Sequence, residues 1–251
     1  MTECVPVDTP METGKRYDQL KPGEPAADKA LYHAMIGSLT YAMTAIRPDL
    51  SAAVGMLSQF MSNPSHEHML AAKRVLRYVK GTLDYGLRFE SRRGSELVGY
   101  SDADWAGDLV TRRSTSGYVF QFGGGTISWS SKRQSVVAKS STEAEYMAMS
   151  HATGETVWLR RFIKHFECDV GKPKTLFADN LGAMALSKNP MYHSRTKHID
   201  VQFHFIRECV ENGQISLQHV STGEMYADVL TKDLARPKFR YFRDKLGVVP
   251  V

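Results

Sequence analysis

Apolar residues change their spacing near residue 95, and the chain falls into two textures on either side. Between Asp28 and Arg88 they recur at helical intervals. Leu31, Met35, Leu39 and Met43 stand four apart, which predicts a helix carrying them on one face. Pro48 should end or kink that helix, residues 52–61 form a second, and Asn63-Pro64 stops it. Residues 67–80 make a third, in which Ala72, Val75, Leu76 and Val79 form an apolar stripe among Lys73, Arg74, Arg77 and Lys80. Residues 1–27 have no period and are broken by Pro6, Pro10, Gly14, Pro22, Gly23 and Pro25, so they read as a flexible leader or linker.

Beyond residue 95, short runs of β-formers alternate with helical stretches. Residues 97–101 read as a strand, and residues 117–122 and 126–130 flank Gly123-Gly124-Gly125 as a hairpin. Ser140…Glu143 and Thr142…Glu145 both fit a capping box, which starts a helix reaching about residue 167 through Trp158, Leu159, Phe162 and Phe166. A strand over residues 175–178 delivers Asp179, and Asn180 caps a helix to about Lys188. A helix over residues 199–211 stops at Asn212-Gly213, a strand covers residues 214–220, and a last helix carries Asp228. That order predicts an α/β fold, a mixed sheet flanked by helices, preceded by a small helical region. The expected divisions are residues 1–27, 28–95 and 96–251.

Composition narrows the classes. Hydrophobic residues at 42% with 24% charged residues suit a globular chain and argue against disorder throughout. No run approaches the roughly 20 apolar residues of a membrane span, and the first thirty residues lack the apolar core of a cleavable signal peptide. A net charge of +5 leans toward polyanionic partners. Cys4, Cys168 and Cys209 are odd in number and scattered, so reduced thiols in the cytoplasm or nucleus are expected.

Four acids stand at element ends: Asp102, Glu145, Asp179 and Asp228. Parallel strands deliver their C-terminal ends to one side of a sheet, so such acids can converge there. Carboxylates without histidine or cysteine neighbours suit hard cations, Mg²⁺ or Mn²⁺. Two such ions about 4 Å apart can activate a water and stabilise the leaving oxygen of a phosphodiester. Taken singly, each acid also has a plainer role as a turn residue, cap or helix-dipole partner. Asp104 competes with Asp102, and Glu143 with Glu145.

Several longer motifs carry a resemblance: Tyr100-Ser-Asp-Ala-Asp-Trp-Ala-Gly107, Arg113-Ser-Thr-Ser-Gly-Tyr118, Ile127-Ser-Trp-Ser-Ser-Lys132 and Ser140-Ser-Thr-Glu-Ala-Glu-Tyr146. Phe177-Ala-Asp-Asn180, Arg195-Thr-Lys-His-Ile-Asp200 and Ala227-Asp-Val-Leu-Thr-Lys232 follow in order. Together they resemble the ribonuclease H domain of Ty1/copia-type retrotransposon polyproteins. Residues 31–88 resemble the stretch between the polymerase palm and that domain. The resemblance implies a ribonuclease H-like fold and metal-dependent hydrolysis of RNA paired with DNA. Its four-acid site maps onto Asp102, Glu145, Asp179 and Asp228, which would hold two Mg²⁺ or Mn²⁺ ions.

Two departures from the family stand out. The polymerase motif Tyr-x-Asp-Asp is missing, so DNA synthesis by this chain alone is not expected. Many ribonucleases H place a histidine before the last acid; Ser221-Thr-Gly-Glu-Met225 has none, and His219 is the nearest stand-in.

An RNA–DNA hybrid would be held at its phosphates and ribose hydroxyls, with Arg112, Arg113, Lys132, Arg133, Arg195, Lys197 and His198 as the candidates. The plainer reading of most of them is solvated surface charge, with a subset touching phosphate. The polymerase part of a reverse transcriptase is a second expected partner. Two other readings stand beside the enzyme: an inactive remnant or recruited interaction protein, and a secreted oomycete effector acting on host plant proteins. The last rests on Arg74, Val75, Leu76 and Arg77, which match the four-residue Arg-x-Leu-Arg pattern.

Overall fold

In the computed structural model, residues 3–90, 96–166, 172–188 and 197–251 are described, without the side chains of residues 188 and 197–203. The chain divides into two units. One comprises Met1–Arg88, Leu109–Thr111 and Lys232–Val251; the other comprises Phe89–Asp108 and Arg112–Thr231.

The second unit is built on strands β2 (Val98–Asp104), β3 (Thr115–Phe122), β4 (Gly125–Arg133), β5 (Lys174–Ala178) and β6 (Ile215–His219). Among the described residues they form a five-stranded sheet in the order β4-β3-β2-β5-β6. β2, β3 and β4 run antiparallel, whereas β5 lies parallel to β2 and β6 parallel to β5. The β3–β4 turn is Gly123-Gly124, with φ of 59° and 77°, the left-handed pair that a two-residue hairpin matched to strand twist requires. The expected mixed sheet flanked by helices is what this unit contains.

Helix α4 (Ser141–Lys164) crosses the sheet. Ser140 Oγ accepts the Glu143 N–H at 3.2 Å, which satisfies one of the free donors of the first turn. The helix buries Tyr146, Met149, Ala152, Leu159 and Ile163 against Leu97, Phe120 and Leu176. Its far face leaves Trp158 and Phe162 exposed and stacked at 5.3 Å, and Phe166, just past the helix end, meets Phe162 edge-on at 5.2 Å. Helices α5 (Leu181–Lys188) and α6 (Lys197–Glu211) complete the packing, Ile206 and Cys209 entering the same core. The last element of the unit is the single turn α7 (Asp228–Thr231).

The first unit holds α1 (Lys29–Ala45), α2 (Ser51–Leu57) and α3 (His66–Lys80). The buried face of α1 is Tyr32, Ile36 and Leu39, with Leu31 exposed. Leu39 of the expected face is buried, while Tyr32 and Ile36 take the inward places expected of Leu31 and Met35. Tyr32 can be buried because its hydroxyl donates to Leu57 O at 2.8 Å. The N-terminal segment is unstructured in the secondary-structure sense but is held in place. Arg77 Nε donates to Val5 O at 2.7 Å, Lys80 Nζ to Cys4 O at 2.8 Å and Arg74 Nη2 to Thr9 Oγ1 at 3.0 Å.

The end of the chain also differs from expectation. After α7 a separate helix α8 (Arg236–Lys245) follows, and β7 (Val248–Pro250) pairs antiparallel with β1 (Tyr85–Leu87). Phe239 meets the edge of Tyr78 at 5.6 Å, which places α8 in the helical unit. Local pattern predicted one last helix; what splits it is tertiary docking of Phe239 and Phe242, both buried.

The start of α3 makes a testable statement about pH. Ser65 Oγ accepts the His68 N–H at 3.2 Å, and His68 Nδ1 accepts the Ser65 N–H at 3.0 Å, a reciprocal capping box. His68 is buried and stacked on Phe60 at 3.9 Å, and burial lowers its pKa below the ordinary 6.5. An acceptor nitrogen must be unprotonated, so geometry and burial agree. Because the folded value lies below the unfolded one, the contribution is fully present above pH 6.5 and is lost as pH falls through the folded value. His68→Gln keeps an acceptor at this position but cannot titrate. Melting curves between pH 8 and 5 should show a shallower acid-side loss in His68→Gln than in the natural chain.

Candidate metal centre

β2 and β5 are parallel, with Tyr100 opposite Phe177. Carrying that register on by two residues sets Asp102 beside Asp179, each at the C-terminal end of its strand. Glu145 reaches the same place from the second turn of α4. One carboxylate oxygen from each of Asp102, Glu145 and Asp179 lies within 4.8 Å of the other two. Asp102 and Glu145 are buried and Asp179 is half-buried. Three carboxylates so close repel one another unless a cation stands among them.

The alternatives at neighbouring positions have other employment. The Asp104 carboxylate folds back over Gly107, where any β-carbon would collide with it, so it serves the turn. Glu143 Oε2 accepts the Lys139 N–H at 2.8 Å and so secures the start of α4. The geometry therefore brings together Asp102 and Glu145 and leaves their competitors in the plainer roles. Asp228 stands outside the mutually close trio: it is fully buried at the start of α7.

Side chains around the acids were not flagged by sequence. Thr231 Oγ1 donates to Asp102 Oδ2, and Thr222 Oγ1 donates to Asp179 Oδ2 at 3.0 Å. Tyr100 and Phe177, each two residues before an acid and so on the same strand face, stack at 5.1 Å. Tyr226, two residues before Asp228, meets Tyr100 at 4.5 Å. The signal available beforehand was this repeated aromatic two positions ahead of an acid. The threonines had none, since their partners are distant in sequence.

The basic residues divide. Lys132 and Arg133 lie at the same end of the sheet as the acids, with Ala103 and Asp104 sharing β3 partners with them. Two strand spacings place them about 10 Å across from β2. Lys132 is exposed; Arg133 pairs with Asp108 at 2.6 Å. Arg112 is exposed in the β2–β3 connection, with φ of 56°, and Arg113 is half-buried beside it. Arg195 lies outside the described residues, as do the side chains of Lys197 and His198 on α6. His219 is exposed opposite Ala178, the residue before Asp179. Cys4 and Cys209 are free thiols, and Cys168 lies outside the described residues. Among the described residues no helix is long and apolar enough to cross a membrane.

The donor set fits Mg²⁺ or Mn²⁺: three hard carboxylates, half-open on the Asp179 side, without sulfur or imidazole in the cluster. No family model matches the chain. Over all 251 residues it is 43% identical to a retrovirus-related Pol polyprotein from transposon RE2 of Arabidopsis thaliana. The chain belongs to the Ty1/copia-type retrotransposon Pol family. It spans 17% of the length of that polyprotein.

A second relative of this Pol-family chain is a secreted RxLR effector protein of Plasmopara viticola, 59% identical over 128 residues, which are 51% of the chain and 90% of that protein. A ribonuclease H1 solved in complex with an RNA/DNA hybrid overlaps 54% of the chain and 94% of its own, at 16% identity and a TM-score of 0.40.

Proposed function

We propose that this Pol-family chain is a divalent-metal-dependent endonuclease of ribonuclease H type, cutting the RNA strand of RNA–DNA hybrids. The observation that carries the reading is the meeting of Asp102, Glu145 and Asp179 from three separate elements. Carboxylates, two of them buried, gather this closely at a cost in repulsion, which makes sense where they serve a cation. Family membership points to the same chemistry.

Asp102, Glu145 and Asp179 would hold the ions, with Asp228 completing the set from α7. Two Mg²⁺ or Mn²⁺ ions held by these residues would supply Lewis acidity toward a water and the departing oxygen. The chain itself contributes position and charge. Burial of Asp102 and Glu145 fixes their geometry, and the half-open Asp179 leaves an approach for a phosphodiester. Lys132, Arg112 and Arg113 border the same sheet end and suit phosphates. The stacked Tyr100 and Phe177 stiffen the strand ends that carry two of the acids. The polymerase part of a reverse transcriptase is the proposed protein partner, and the compartment of hybrid synthesis, cytoplasm or nucleus, the proposed location.

The effector relative favours a second reading, recruitment to act on host plant proteins. Against it, Arg74 and Arg77 of the Arg-x-Leu-Arg match are engaged in α3, where they bind Thr9 and Val5 of the N-terminal segment. A pattern bound up in a helix is poorly presented to a processing or delivery machinery.

The test is a labelled hybrid incubated with the purified chain. RNA-strand cutting should appear with Mg²⁺ or Mn²⁺ and vanish with chelator, while duplex DNA stays intact. A folded chain that cuts no hybrid under any of these conditions removes the enzyme reading.

A further inference from the structure

We propose that Thr231 is a positioning residue that fixes the carboxylate of Asp102 for metal binding. The inference rests on the metal-centre reading and adds a residue to it. Asp102 is wholly buried, so its orientation is set by protein and not by water. Thr231 Oγ1 donates to Asp102 Oδ2 and also lies 3.3 Å from Asp228 O. A hydroxyl has one proton, and the charged carboxylate is the stronger acceptor. The bond therefore restricts rotation of the Asp102 carboxylate before an ion arrives.

The backbone is shaped to allow this contact. Gly117 of β3 is the register partner of Asp102. A β-carbon there would stand 2.6 Å from Thr231 Cγ2, closer than real β-carbons approach, and 3.1 Å from Leu230 Cβ, a tight contact. Glycine lets α7 sit directly against β3, and that approach is what delivers the threonine hydroxyl. Val229 and Leu230, both buried, pin the short helix. Thr231 stands one turn after Asp228, so the same helix that presents the fourth acid also steadies the first. Groups that orient a ligand typically matter about 10- to 100-fold in metal affinity.

Thr231→Val keeps the methyl contact with Gly117 and removes the donor; Thr231→Ser keeps the donor. Mn²⁺ affinity of the intact chain, measured by calorimetry without substrate, is the readout, with melting temperature recorded alongside. Thr231→Val should bind Mn²⁺ about 10- to 100-fold more weakly. Thr231→Ser should stay within about threefold of the natural chain, the serine hydroxyl supplying the same charge-assisted bond. In an Asp102→Asn background, Thr231→Val should add little further loss, because the two act as one unit. Should Thr231→Val fail to fold, Thr231→Ala against Thr231→Ser makes the same comparison. Equal affinity in Thr231→Val and the natural chain overturns the proposal while leaving the metal centre standing. A natural chain that binds no Mn²⁺ removes both.

Discussion

Asp102→Asn should slow hybrid hydrolysis by about a thousandfold or more, because metal catalysis supplies several kcal/mol and each 1.36 kcal/mol is tenfold in rate. The substitution preserves volume and leaves an oxygen for the Thr231 hydroxyl, so the fold is retained. Asp104→Asn is the built-in control. Its carboxylate is occupied over Gly107, away from the trio, and its loss should change the rate by less than about threefold, the scale of a surface substitution. A companion pair, Glu145→Gln and Glu143→Gln, should divide the same way for the same reason. Removing a charge from the crowded trio relieves repulsion, so in chelator Asp102→Asn should melt no lower than the natural chain. Single-turnover cleavage of a labelled hybrid, with melting curves in chelator, reads all of these.

The largest stability effect is expected at Asp49, far in sequence from the acids. Asp49 is buried and receives both Arg47 Nε at 2.9 Å and Arg47 Nη2 at 2.8 Å, a bidentate pair. Tyr78 donates its hydroxyl to the same carboxylate at 2.6 Å, and burial followed by Asp49 pushes the Tyr78 pKa up. Arg47 also donates to Thr82 O and Thr82 Oγ1, at 3.1 and 2.8 Å. The network joins the α1–α2 connection to the end of α3. Asp49→Asn leaves a buried guanidinium without its counter-charge, which should cost about 3–5 kcal/mol. Thr82→Val removes one neutral partner and should cost nearer 1 kcal/mol. Urea unfolding followed by far-ultraviolet circular dichroism measures the loss. Tryptophan fluorescence assigns it, since Trp105, Trp129 and Trp158 all belong to the second unit.

Much of the architecture was legible because local chemistry and tertiary fold agree. Two glycines at Gly123 and Gly124 meant a tight hairpin, and Ser140 followed by Glu143 meant a helix start; both stand where expected. The α1 face was misread because Tyr32 counts as polar by pattern yet is buried once its hydroxyl finds Leu57 O. The separate helix α8 was missed for a different reason. Its residues are strongly charged along the chain, and only docking of Phe239 beside Tyr78, some 160 residues earlier, shows which face turns inward. At the site, spacing alone could not choose between Asp102 and Asp104, which share a strand face. The choice depends on what each carboxylate meets in space, Glu145 and Asp179 for one and the Gly107 turn for the other. Resemblance named the fourth acid, but the trio excludes Asp228, which shares α7 with Thr231, a donor to Asp102.

The central claim is that Asp102, Glu145 and Asp179 form one cage for a divalent cation. Crystals grown with Mn²⁺ and measured at the manganese absorption edge test it most directly. Anomalous density within coordination distance of all three carboxylates is the result this account predicts. Density at other surface acids with none among these three would contradict it.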